Sequence, residues 1–134
     1  MHKIILILTG IYIVLITGCG ANLGPDDLVF NNSAQAVIDA RKMIDEKIRY
    51  PEKYNNWIYP QNLPESLRIP RLKYAMVYSN HVSLVIARNP DWNIGARIWS
   101  EKAKTIHKDK ISKYKDIYFY EYTNDSPESP ENIK

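Results

Sequence analysis

The chain is poor in the residues that build disulfide frameworks, metal clusters and phosphate-binding loops. Its 134 residues include one cysteine, three histidines and five glycines. A single cysteine excludes an internal disulfide and any multi-cysteine metal site. Three of the glycines precede residue 21, so the rest of the chain lacks a glycine-rich phosphate loop. The formal net charge of +3 is too small to indicate nucleic-acid binding.

Motifs for catalysis are also scarce. The chain has no G-x-S-x-G nucleophile elbow, no H-E-x-x-H zinc motif and no EF-hand loop. Beyond the N-terminal segment, the histidines are His81, in a predicted hairpin turn, and His107, in a lysine-rich stretch. We interpret both as solvated surface residues. Since no spacing singles out a carboxylate pair, we predict a protein that is not an enzyme and has no cofactor and no metal site.

The N-terminus has the pattern of an export signal. His2 and Lys3 precede an apolar run of 13 residues, Ile4 to Ile16, which is shorter than the about 20 residues a spanning helix needs. The run ends in the sequence ITGC at residues 16–19, which resembles the lipobox of bacterial lipoproteins. A plain secretory signal with an incidental cysteine, or an uncleaved anchor, are the alternatives.

The lipobox resemblance implies a chemical role for Cys19. Its sulfur would carry the lipid, and the leader would be cut before it, which leaves a protein anchored to a membrane by acyl chains. The resemblance implies a location in the bacterial cell envelope, facing the periplasm or the exterior. Gly20 follows the cysteine in place of the aspartate that retains lipoproteins at the inner membrane, so outer-membrane sorting is favoured in a double-membraned cell.

Composition divides the chain into four parts. We expect a signal peptide at 1–18, a lipidated cysteine and tether at 19–30, one globular domain at 31–123 and a disordered polar tail at 124–134. The tether contains glycine, proline and aspartate and ends in the apolar residues 28–30.

Periodicity within the domain predicts one helix and several strands. Apolar residues at spacings of three and four predict a helix over 33–49, capped by the Asn31-Asn32-Ser33 sequence and ended by Pro51. Four prolines in 51–70 predict a wrapping loop whose aromatic residues cover one end of the core. Alternating runs over 71–79, 82–87, 94–99 and 117–123 predict strands joined as a meander.

These elements indicate an α+β fold, with one N-terminal helix packed on a small antiparallel sheet of three to four strands. A small β-barrel or sandwich with a peripheral helix is the alternative.

Two surfaces are candidate binding sites. Strand alternation places aromatic residues and an arginine on one sheet face, and if this face is exposed it suits a partner. The alternative, which we favour, is that its tyrosines are core or half-buried strand residues. The candidate partner-binding residues are Arg97, Trp99, Tyr118, Tyr120 and Tyr122.

The second candidate surface is lysine-rich. Six lysines in 101–115 oppose two acidic residues there, and anionic lipid headgroups would attract them. We favour a solvated segment balanced by the acidic residues of 116–134. The lysines are Lys102, Lys104, Lys108, Lys110, Lys113 and Lys115.

The sequence therefore predicts a lipid-anchored envelope protein that binds a protein or a cell-wall polymer. The alternatives are an accessory or inhibitory protein that blocks an envelope hydrolase with a protruding loop at 51–66 and, less favoured, an enzyme. The sequence of residues 20–134 resembles no family that we recognise and does not indicate an oligomeric state.

Overall fold

The domain is one helix packed against an open antiparallel sheet. The computed structural model describes residues 23–89, 92–103 and 109–123. The sheet has the strand order β1-β2-β3-β5-β4, and every neighbouring pair is antiparallel. The elements are α1 (Ser33–Arg49), β1 (Tyr74–Val77), β2 (His81–Asn89), β3 (Trp92–Trp99), β4 (Lys110–Ile111) and β5 (Tyr118–Thr123). The α+β prediction is confirmed, and the sheet does not close into the alternative barrel or sandwich.

Helix α1 begins and ends where the local sequence predicts. The side chain of Asn32 accepts a hydrogen bond from the backbone nitrogen of Gln35 at 3.1 Å, which caps the first turn. Ile38 and Ile48 are two of the apolar residues whose spacing predicts the helix and a buried face, but both are exposed. The buried face consists of Ala36, Val37, Ala40, Met43 and Ile44.

The sheet has five strands where the sequence predicts three or four. The additional strand, β4, is two residues long and lies inside the lysine-rich stretch. It pairs Lys110 with Phe119 and Ile111 with Tyr118. A two-residue strand is too short to produce a readable alternation of apolar and polar residues, so its sequence carries no strand signal.

A β-bulge bends the middle of the sheet. The register between β2 and β3 shifts between Val85 and Ala87, and Gly95 of β3 lies opposite Val85. A Cβ atom at position 95 would lie 1.8 Å from the carbonyl oxygen of Leu84. The two strand backbones therefore approach too closely here for any side chain.

The core lies between α1 and the sheet face formed by alternate residues of β1, β2, β3 and β5. Ile117 and Phe119 belong to this core, as the alternation predicts. Leu28 is fully buried and Phe30 is 6% exposed, so the packed domain begins inside the range expected to be tether. The apolar residues 28–30 anchor that part of the chain because they cover the end of the core.

The connection from α1 to β1 consists of short 3-10 turns. These turns lie at Pro51–Tyr54, Pro60–Asn62 and Glu65–Leu67, and Leu63 is buried between the last two. The connection packs along α1 and β1, so it wraps the core in the way that its four prolines predict.

Candidate functional site

Four of the predicted partner-binding residues lie on the sheet face opposite α1, and most of these are buried; they are Arg97, Trp99, Tyr118 and Tyr120. Arg97 is 3% exposed, and Trp99 and Tyr120 are each 2% exposed. Tyr118 is half-buried, and Tyr122 is a residue of β5. An exposed face is therefore wrong for Arg97, Trp99 and Tyr120, and the alternative of buried strand tyrosines holds for Tyr120.

The segment that leads into β4 covers this face with a carboxylate. Asp109 accepts from Nη1 of Arg97 at 2.7 Å and from Nε1 of Trp99 at 3.2 Å. The guanidinium carbon of Arg97 lies 4.6 Å from the centre of the Tyr120 ring. The Asp109 carboxylate neutralises the buried guanidinium, and the Trp99 and Tyr120 rings lie against it, although Nε of Arg97 has no hydrogen-bond partner among the described residues.

His81 is also buried, so its predicted place in a solvated turn is wrong. The turn contains only residues 79–80, and His81 begins β2 with no exposed surface. Its ring lies 4.5 Å from the Tyr78 ring and 5.0 Å from the Trp99 ring. Burial, with further repulsion from Arg97 and Lys47, lowers the pKa of His81 to about 3. The imidazole is therefore neutral at physiological pH.

The lysine-rich surface is only partly within the described residues. The lysines described there have exposed side chains, as a solvated segment would; these are Lys102, Lys110, Lys113 and Lys115. Lys104 and Lys108 lie outside the described residues, as do His107, the tail at 124–134 and Cys19 with its lipobox.

Exposed aromatic residues are found instead on the connection beside β1. We define the aromatic ridge as residues 54–59, with the sequence YNNWIY. Trp57 is 45% exposed and Tyr59 is 49% exposed, whereas Tyr54 is buried against α1. The Trp57 indole stacks on the Tyr74 ring at 4.5 Å with an angle of 12° between the planes. This stacking holds the indole against the sheet edge while leaving nearly half of its surface in water.

A cavity of about 520 Å³ lies on one side of the ridge, between the C-terminal end of α1 and β1. We call it the Lys47 cavity, since Lys47 is the one charged residue among the described residues that line it. The lysine ammonium donates to the backbone oxygen of Val77 and lies 5.4 Å from the Tyr78 ring. Desolvation lowers the pKa of Lys47. Other lining residues are Asn55, Asn56, Trp57, Tyr59 and Met76.

A second cavity of about 630 Å³ adjoins the same ridge, and its lining shares Tyr54, Asn55, Asn56 and Trp57 with that of the Lys47 cavity. Glu46 lies in its wall and accepts from the Tyr54 hydroxyl at 2.5 Å, with Lys53 3.4 Å away. The Tyr54 hydrogen bond, aided by Lys53, lowers the pKa of Glu46. Burial and the bond to Glu46 raise the pKa of Tyr54. These shifts keep the carboxylate ionised and the phenol protonated at neutral pH.

The chain itself closes the edge of the sheet at β1. Ile58 of the ridge pairs with Ala75 through backbone hydrogen bonds of 2.8 Å and 2.9 Å. The next outward carbonyl, that of Val77, accepts from Lys47. An edge strand normally offers such groups to another chain, so this edge is protected against strand addition.

Sequence reasoning selected the ridge only as part of the loop at 51–66 that the hydrolase-inhibitor alternative requires. It expected the aromatic residues of 51–70 to cover the core, which Tyr54 does, but Trp57 and Tyr59 remain half-exposed. Two asparagines directly before a tryptophan, inside a proline-rich connection, are the one local signal that could have pointed to a polar aromatic surface. No feature of the local sequence indicates that Lys47 lines a cavity, since its spacing is that of any polar residue on an amphipathic helix.

Within residues 23–89, 92–103 and 109–123, no cluster of three or more histidine, cysteine or acidic residues could hold a metal ion. The same residues contain no helix long and apolar enough to cross a membrane. Comparison with family models, curated proteins and solved structures finds no match to this chain.

Proposed function

We propose that this chain is a lipid-anchored protein of the bacterial cell envelope whose domain binds a protein or a cell-wall polymer without catalysing a reaction. Acyl chains on Cys19 hold it to a membrane, in the outer membrane if the cell has two, and the aromatic ridge faces the periplasm or the exterior. The observation that carries the binding role is the half-exposed indole of Trp57, fixed by stacking at the border of a cavity.

The anchor rests on the ITGC sequence that follows the apolar run. Two or more acyl chains stabilise membrane attachment to an extent that a single chain does not. Mass spectrometry of the mature N-terminus tests this part. The expected N-terminal residue is Cys19 carrying diacylglycerol, and an unmodified Cys19 thiol or a retained leader would contradict it.

The binding role rests on the chemistry of the ridge. A rigid aromatic side chain contributes a large contact area and loses little conformational entropy on binding. Asparagine amides beside it supply both donors and acceptors. Binding surfaces combine these two properties, and the exposed apolar area of Trp57 and Tyr59 is otherwise unfavourable in water.

The absence of a catalytic role is supported by the ionisable groups beside the ridge. Glu46 and Tyr54 have pKa shifts that stabilise their ordinary protonation states. His81, which is an ordinary candidate for a general base, is buried behind Tyr78 and Trp99 and so is kept from a substrate.

Sedimentation of the full chain with lipid-extracted envelope fragments tests the binding role. Trp57→Ala should weaken binding about tenfold, the equivalent of about 1.4 kcal/mol. Tyr50→Ala is the matched control, because Tyr50 is 61% exposed and lines neither cavity. Equal binding by the two variants, or no binding by the unaltered chain, would contradict the proposal. Protease treatment of the fragments separates a protein partner from a polymer.

The hydrolase-inhibitor alternative is not favoured by any contact in the described part of the chain. It needs a protruding loop at 51–66, whereas Tyr54 and Leu63 of this segment are buried and Ile58 pairs with β1.

A further inference from the structure

The composition of the Lys47 cavity restricts its ligand. The cavity combines two half-exposed aromatic rings, Trp57 and Tyr59, with two exposed amides, Asn55 and Asn56, and one ammonium. Its volume of about 520 Å³ falls within the range of about 300–1,000 Å³ that is typical of small-ligand sites.

One face of the Trp57 indole is available to a ligand. Tyr74 stacks on the other face at 4.5 Å. The guanidinium carbon of Arg88 lies 4.4 Å from the Trp57 ring centre but only 5.8 Å from the Tyr74 ring centre. If the guanidinium lay on the indole face opposite Tyr74, its distance from the Tyr74 ring centre would be close to the sum of 4.4 Å and 4.5 Å. The observed distance of 5.8 Å is much shorter than that sum. Arg88 is therefore beside the stack, and the opposite indole face has no ring or cation contact from the described residues.

The charge of the cavity favours an anionic ligand. Lys47 is not balanced by a carboxylate in the described lining of the cavity. An ammonium has three donors, and Val77 uses one of them. A cationic ligand, which aromatic rings alone would suit, is disfavoured by repulsion from Lys47. A carboxylate would receive charge-assisted hydrogen bonds from the remaining donors.

Backbone pairing with an extended peptide is not available at this site. Ile58 occupies the outward groups of Ala75, and Lys47 occupies the carbonyl of Val77. A peptide that binds by strand addition needs those groups. The groups left to recognise a ligand are therefore an aromatic ring face, side-chain amides and an ammonium. A sugar ring matches them, because its apolar C–H face fits an aromatic ring and its hydroxyl edge fits the amides.

We propose that the Lys47 cavity binds a carboxylate-bearing sugar ring of a cell-wall glycan. The C–H face of the sugar lies on the exposed indole face of Trp57, its hydroxyls bond with Asn55 and Asn56, and its carboxylate bonds with Lys47. This assignment rests on the proposed function, and within it selects a polymer over a protein as the partner.

Titration of the full chain in detergent micelles tests the assignment with two matched probes. One is a hexuronic acid trisaccharide, and the other is the same trisaccharide methyl-esterified, which keeps the rings and removes the charge. The unaltered chain should bind the acid about tenfold more tightly than the ester. Lys47→Met should abolish that preference, whereas Lys42→Met, on an exposed lysine of the same helix, should preserve it. Trp57→Ala should weaken both probes by a similar factor.

Equal affinity for acid and ester in the unaltered chain would overturn the assignment, and this comparison needs no variant to fold. Binding of neither probe would also overturn it. If sedimentation with protease-treated wall fragments then still depended on Trp57, only the ligand class would have failed. If the chain bound untreated wall fragments but not protease-treated ones, the partner would be a protein, and the proposed function would stand without a glycan.

Discussion

Polar residues that are buried on the outer face of the sheet pair with one another. Arg97 and Asp109 are 3% and 4% exposed at their side chains and lie 2.7 Å apart. Forming such a buried pair contributes little net stability, but removing one partner costs about 3–5 kcal/mol because the other charge stays buried. Ser83 extends the network through a 2.6 Å bond to the Tyr120 hydroxyl.

His81 gives this network a dependence on pH. Its pKa is lowered from 6.5 to about 3, mainly by burial and further by Arg97 and Lys47. The unfolded state therefore binds a proton that the folded state excludes at every pH between these two values. Stability is full above about pH 6.5 and falls as the pH drops toward 3, by at most about 1.4 kcal/mol per pH unit.

We predict that His81→Phe removes this dependence. Phenylalanine keeps the contacts with Tyr78 and Trp99 but does not titrate. Urea unfolding between pH 5 and 6.5 should give a rising free energy of unfolding for the unaltered chain and a flatter profile for the variant. Carboxylates are largely ionised in this range, so they change both profiles equally. Parallel profiles would show that His81 is not held neutral.

At the scale of elements, the two edges of the sheet are protected against pairing with another chain in different ways. The β1 border is covered by Ile58 and Lys47. The β4 border is a strand of only two residues, with Lys110 and Ile111 exposed there. Short strands and lysines both limit pairing with another chain. Lys47 thus has two roles, since it closes an edge and charges a cavity.

The β2–β3 pair depends on the absence of a side chain at position 95. We predict that Gly95→Ala lowers the free energy of unfolding by about 2 kcal/mol or more, because the new Cβ meets the Leu84 backbone, which cannot rotate away. Gly24→Ala is the matched control, since nothing lies within 4 Å of a Cβ there. Chemical denaturation measures both. A Gly95→Ala protein as stable as the control would mean that the strands separate easily at the bulge.

At the scale of the whole molecule, local signals account for most of the fold. The bounds of α1 follow from its period, from Asn32 and from Pro51, which act over a few residues. The meander of β1, β2 and β3 follows from short connections. Both features could therefore be predicted from the sequence, whereas β4 could not, because two residues show no period.

The site could not be predicted because long-range contacts create it. Asp109 covers the outer face of the sheet because it bonds with Arg97 and Trp99, which belong to a different segment of the chain. The Trp57 indole is fixed at the surface only by its stacking on Tyr74 of β1. Such contacts join segments whose apolar residues follow unrelated spacings. The sequence pattern therefore does not show that Trp99 and Tyr120 are buried whereas Trp57 and Tyr59 are half-exposed.

The central proposal is an envelope protein that binds through its ridge, and photocrosslinking in living bacterial cells that produce the chain tests it most directly. A photoreactive residue in place of Tyr59 should crosslink to cell-wall polymer or to an envelope protein, since Tyr59 lines the Lys47 cavity. The same residue in place of Tyr50, which is exposed but lines neither cavity, should give little product. Equal crosslinking from both positions, or products only with cytoplasmic proteins, would contradict the account.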